Sequence, residues 1–169
     1  GEQGATGEAL KIEFGTVAGG GLARAQAVNS TAKAEVANAN VTVHSGILSG
    51  VAGGGIAESY NTGTAKATVT NANLTINGGT INGVEYKGVD NSAVAVLGGG
   101  IAKGTKATAN ATTTNTVING GKINGHVVAG GLADGGTATV GTANLTIKGG
   151  EINGSVYAGG AALGGGEAT

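Results

Sequence analysis

"NANLTINGGTING" (Asn71–Gly83) returns almost unchanged as "TANLTIKGGEING" (Thr142–Gly154). Weaker copies follow Asn38 ("NANVTVHSGILSG") and Thr114 ("TNTVINGGKING"). A second phrase, "GG(L/I)A", stands at Gly20–Ala23, Gly54–Ala57, Gly99–Ala102 and Gly130–Ala133, and as "GGAA" at Gly159–Ala162. Successive anchors are 34, 45, 31 and 29 residues apart. Recurrence at 20–50 residues is the signature of a repeat array, in which each unit buries its apolar face only against its neighbours. The long step holds a segment without counterpart, "VEYKGVDNSAV" (84–94). We read it as a loop inserted into one repeat, and the whole of residues 1–169 as a single array.

Three strand-like segments recur in each unit. They are an anchor ("VAGGGIA" from Val51), a long alternating stretch ("AKATVTNANLTI" from Ala65) and a short piece ("INGVEY" from Ile81). In the long stretch Ala65, Ala67 and Val69 share one side, and Ala72, Leu74 and Ile76 continue it only after a one-residue slip. A one-residue slip moves side chains across the pleat, so a bulge or corner is expected at Asn38, Asn71 and Gly141. No 3.6-residue periodicity appears, which argues against helices.

These features predict an all-β fold: a parallel β-helix or β-solenoid of about five coils of roughly 30 residues. Like residues then stack about 4.8 Å apart. The stacking predicts core columns of Val41, Leu74 and Leu145 and of Val43, Ile76 and Ile147. It also predicts amide ladders of Asn40, Asn73, Asn115 and Asn144 and of Asn82, Asn124 and Asn153. The pairs Gly78–Gly79, Gly120–Gly121 and Gly149–Gly150 would supply positive φ at sharp turns. A Gly-rich flexible linker would lack the periodic Val, Ile and Leu.

Composition narrows function. Gly makes up 37 of 169 residues, with no Pro, Cys, Met or Trp, three Tyr and one Phe; average Gly usage is about 7%. Gly without Pro excludes collagen. The interior must therefore be narrow and filled by Ala, Val, Ile and Leu. Missing cysteine removes disulfides and thiolate metal sites. The net charge of −1 gives no basic stripe for nucleic acid. No apolar run approaches the ~20 residues of a membrane-spanning helix, and no signal segment opens the chain.

Catalytic chemistry is not legible. Asp90 and Asp134 are the only Asp and Arg24 the only Arg, the Glu residues are scattered, and His44 and His126 occupy unlike repeat positions. No cofactor or metal motif is present, so we expect no enzyme. Sequons at Asn29, Asn40, Asn73, Asn110 and Asn144 are mostly by-products of the repeated "N(V/L)T". Thr42, Thr75 and Thr146 stack in single file without a double Thr column, which weakens an ice-binding reading. Four aromatics are too few for a sugar-stacking platform or a nucleic-acid surface.

The phrase "LTIKGGEINGSVYAGG" (Leu145–Gly160) and its relatives resemble the Gly-rich repeats of bacterial autotransporter passenger domains and related large surface adhesins. The resemblance covers nearly the whole chain. It implies a right-handed parallel β-helix, extracellular on a bacterial cell surface, serving as an adhesin or fibre. Such repeats usually end in capping units, yet the chain closes partway through a repeat with "GGAALGGGEAT". It is expected either to be part of a longer solenoid or to stack end to end with copies of itself. Contact with adjoining repeats or a host surface is the expected partnership. A ligand-binding solenoid for glycan or ice is the alternative.

Overall fold

The computed structural model describes residues 13–86 and 93–169. The "GEALKIEFG" segment before Gly15 and the centre of the inserted loop, with Asp90, lie wholly or largely outside these residues. The described chain is a parallel β-solenoid of about four turns, without a helix. Five anchors bound four complete turns, so the expectation of five coils counted anchors where turns lie between them.

Each turn contributes to three sheets. The long sheet holds β3 (Thr31–Val43), β6 (Thr64–Ile76), β10 (Ala107–Ile118), β14 (Thr137–Ile147) and β18 (Glu167–Ala168). The short sheet holds β2 (Leu22–Ala25), β5 (Ile56–Ser59), β9 (Ile101–Lys103), β13 (Leu132–Asp134) and β17 (Ala161–Leu163). The third sheet begins with β1 (Glu13–Ala18), β4 (Ile47–Ala52), β7 (Thr80–Ile81) and β8 (Val94–Leu97). It continues with β11 (Lys122–Ile123), β12 (His126–Val128), β15 (Glu151–Ile152) and β16 (Val156–Tyr157). Strand β4 pairs with β7 through Leu48↔Ile81 and with β8 through Val51↔Val96, so the inserted loop interrupts a single path. The loop's two limbs meet in an antiparallel bridge between Val84 and Val94.

The alternation fixes which side chains enter the axis. In β6, Ala65, Ala67 and Val69 are buried, and so are Ala72, Leu74 and Ile76. Two consecutive outward residues, Thr70 and Asn71, separate the two sets. Strand β10 repeats this with Thr112 and Thr113, so adjacent turns slip together and the register stays intact. The first half of each long strand therefore meets the short sheet through alanines such as Ala57, Ala67, Ala102 and Ala109. The second half packs Leu74, Ile76 and Ile118 against Ile81, Ile123 and Val127 of the third sheet. Side-chain volume sets the width of the solenoid, narrow at the alanine end and wider at the aliphatic end.

The core columns run Val41–Leu74–Thr116–Leu145 and Val43–Ile76–Ile118–Ile147. Thr116 is the exception in the first column. It is 2% exposed, and its Oγ1 has no hydrogen-bond partner among the described residues. A buried unsatisfied hydroxyl costs about 1–3 kcal/mol. Thr116→Val is therefore expected to raise stability by roughly 1 kcal/mol, as read from the midpoint of urea unfolding. A lowered midpoint would show that the hydroxyl is satisfied.

Glycine has two distinct uses at the turns. Gly79, Gly121 and Gly150 have φ of +89°, +97° and +100°. Gly78, Gly120 and Gly149 do not have positive φ, which corrects the expectation for the first member of each pair. A Cβ at Gly78 would lie 2.5 Å from the carbonyl oxygen of His44 in the turn before; at Gly120 and Gly149 it would lie 2.8 Å from those of Asn77 and Asn119. The anchor triplets are corners of the same crowded kind, splitting the anchor into two strands that belong to different sheets.

Candidate functional site: amide ladders and an uncovered terminal turn

Parallel pairing in register brings every predicted ladder residue together. Nδ2 of Asn73 donates to Oδ1 of Asn40, Asn115 to Asn73, and Asn144 to Asn115, each at 2.9 Å. Asn124 donates to Asn82 and Asn153 to Asn124, both at 3.1 Å. Two ladders escaped sequence reasoning. Asn71 donates to Asn38 at 2.8 Å, and Asn119 donates to Asn77 at 2.8 Å, above an Asn77–His44 contact at 3.4 Å. Their signal was the outward alternation beside Asn40 and Asn73, which becomes readable once the turns are aligned. Removing one amide from the middle of a ladder breaks two bonds. Asn115→Ala is expected to cost about 1–2 kcal/mol in chemical denaturation, whereas Asn144→Ala, with one such bond, should cost about half as much. Equal losses would contradict the ladder.

All ladders share a polarity. Each Nδ2 points to the preceding turn and each Oδ1 accepts from the following one. The C-terminal turn therefore ends in the Oδ1 atoms of Asn144 and Asn153, which receive no such donor among the described residues. Its apolar side chains are uncovered in the same direction. Ile147, Val156 and Tyr157 are 44%, 45% and 46% exposed, whereas Ile118, Val127 and Val128 one turn below are at most 1% exposed. The anchor column tells the same story. A Cβ on Gly54 would meet Gly100, and one on Gly130 would meet Gly159 and Gly160, but a Cβ on Gly159 meets nothing within 4 Å.

Charged groups gather elsewhere. Arg24, Glu58, Lys103 and Asp134 form one column of alternating sign on the short sheet. Arg24 Nε donates to Glu58 Oε2 at 2.5 Å. Tyr86, carried by the inserted loop, packs on Leu97, Ile101 and Leu132, and its ring lies 5.2 Å from Lys103 Nζ. Burial first, then the carboxylates of Asp134 and Glu58, push its hydroxyl from 10.0 up to about 12. The unfolded chain then gives up this proton before the folded one does. The contribution is intact below the unfolded value of 10.0 and is lost as pH rises towards about 12. Tyr86→Phe is expected to flatten the fall in thermal stability over that interval relative to the parent; parallel profiles would contradict the assignment.

On the third sheet, the Asn153 amide and then Lys122 hold the Glu151 carboxyl below its ordinary range. His126 is buried, accepts the backbone N–H of Ser155 at Nδ1 at 2.9 Å, and meets Tyr157 edge-on at 5.4 Å. His44 lies on the outside of the long sheet at the end of an amide ladder, so the two histidines are not brought together. No group of three or more His, Asp or Glu among the described residues could hold a metal ion. No helix long and apolar enough to cross a membrane is present among them. Comparison with protein families, with curated proteins and with solved structures finds no match.

Proposed function

We propose that the chain is a structural module of an extracellular bacterial fibre or adhesin, and that modules stack end to end. The in-register stacking of like turns carries this reading, and the last described turn shows what such a turn offers to whatever follows it. Its backbone edge beyond Val140, its half-exposed Leu145 and exposed Ile147, and its amide oxygens at Asn144 and Asn153 repeat what each lower turn offers its successor. A further turn in the same register satisfies all three at once, whether adjoining solenoid repeats or a second copy of this chain provides it; the second copy is the reading that Gly159 tests. Such a contact joins unlike surfaces and does not close on itself, so it propagates into a filament. The passenger-like repeats support an extracellular location and adhesion, and the module works through its surface without catalysing a reaction.

Gly159 provides the test. In the isolated module Gly159→Ala fills open space, so its circular dichroism and melting temperature should match the parent. Under a stacked copy the new methyl would collide as one at Gly130 would, 2.8 Å from the next turn's amide nitrogen. The parent should sediment as a series of rods that lengthens with concentration, and the variant as single modules. A parent that stays monomeric at every concentration, or a variant that assembles equally well, would overturn the proposal.

A further inference from the structure

Beyond its corner, the second half of the long sheet presents an outward array of four columns. They are Asn38–Asn71–Thr113–Thr142, Asn40–Asn73–Asn115–Asn144, Thr42–Thr75–Val117–Thr146 and the ladder ending in His44, Asn77 and Asn119, which Lys148 continues. Every member is exposed or half-exposed. Carboxylates are absent from the array, and Lys148 at its margin is its only lysine. The described ion pairs lie on other surfaces: Lys33 with Glu35 before the corner, Arg24 with Glu58 on the short sheet, and Lys122 with Glu151 on the third.

We propose that this array binds a neutral polysaccharide. Each Asn amide in mid-ladder spends one N–H and one acceptor position on its neighbours and keeps one of each for a ligand. Vicinal hydroxyls, each able to donate and accept, match that pair. Rows recur about every 4.8 Å along the axis, and alternate residues stand about 6.7 Å apart across it, so an extended chain meets comparable amides and hydroxyls in four successive rows. The ladder bonds hold the amides in place before the ligand arrives, which lowers the ordering cost of binding. The near-absence of charge gives no partner for uronate or amino sugars in their charged forms. With no aromatic residue in the array, each sugar is held weakly and binding depends on chain length. A single module suffices, so the inference stands independently of end-to-end assembly.

The test is retention of the purified chain on insoluble cellulose, chitin and curdlan, with an anionic polygalacturonate matrix as comparison. Binding to at least one neutral matrix is expected, unchanged by 0.5 M salt and weakened with shortened soluble oligosaccharide competitors. The double variant Asn77→Ala with Asn119→Ala should lose binding at least tenfold while keeping the parent circular dichroism. Val117→Thr, which completes the Thr column, should increase it. The control variant Lys33→Ala, on the neighbouring surface, should bind as the parent does. No retention on any neutral matrix would overturn the inference, as would retention only on polygalacturonate with release by salt. So would array variants that alter self-association while leaving polysaccharide binding untouched, the result expected if a second copy occupies the face.

Discussion

Gly54→Ala is expected to destabilise the solenoid by about 3 kcal/mol, because the added methyl collides with backbone that cannot step aside. Its Cβ would stand 2.6 Å from the amide nitrogen of Gly100 and 2.7 Å from the carbonyl carbon of Gly99. Both atoms belong to the next turn, whose position is fixed by Gly54 N donating to Gly99 O at 3.0 Å. The residue has no positive φ, so the cost measures the approach of turns and not a backbone preference. At roughly 2–4 °C per kcal/mol for a chain of this size, the melting temperature should fall by about 6–12 °C. A change within about 0.5 kcal/mol, the usual effect of a surface substitution, would mean that the corners are not closely stacked.

Ile118→Ala should be similarly damaging for the opposite reason, loss of contact. Ile118 is fully buried between Ile76 and Ile147 in the aliphatic half of the axis. Truncating such a residue removes transfer free energy and leaves a cavity, together about 2–5 kcal/mol. The same change at Ile147, one turn later and 44% exposed, should cost under about 1 kcal/mol in the single module. Urea unfolding of the two variants reads the contrast directly. If both lose equally, the terminal turn is covered in solution.

Much of this architecture is written in the repeats. The one-residue slip before Asn71 shows as two adjacent outward residues, and the ladders of Asn40 and Asn82 follow from aligning "NANLTINGGTING" with its copies. What escaped the sequence depends on contacts between turns. Nothing local distinguishes Gly78, excluded from carrying a side chain by a carbonyl of another turn, from Gly79, which needs positive φ. Thr116 interrupts a leucine column because inward position tolerates a small polar residue at a stability cost. The alternating column Arg24, Glu58, Lys103 and Asp134 is scattered over unequal steps, and the insertion stretches one of them. Tyr86 reads as part of the inserted loop, yet it is buried in one cluster with Leu97, Ile101 and Leu132, residues that come later in the chain. The polarity of the amide ladders, which gives the two ends different chemistry, exists only once the side chains are placed.

Disulfide trapping measures the stacking of turns most directly, since the chain has no cysteine of its own. Cα atoms must lie within about 4.4–6.8 Å for a bridge to close, and in-register partners on adjacent parallel strands satisfy this. Asn73→Cys with Asn115→Cys, and separately Asn115→Cys with Asn144→Cys, should oxidise within the folded monomer to near completion. Asn73→Cys with Val117→Cys, displaced by two residues, should not. Ready closure of the displaced pair, or failure of both aligned pairs, would contradict a solenoid whose turns lie residue upon residue.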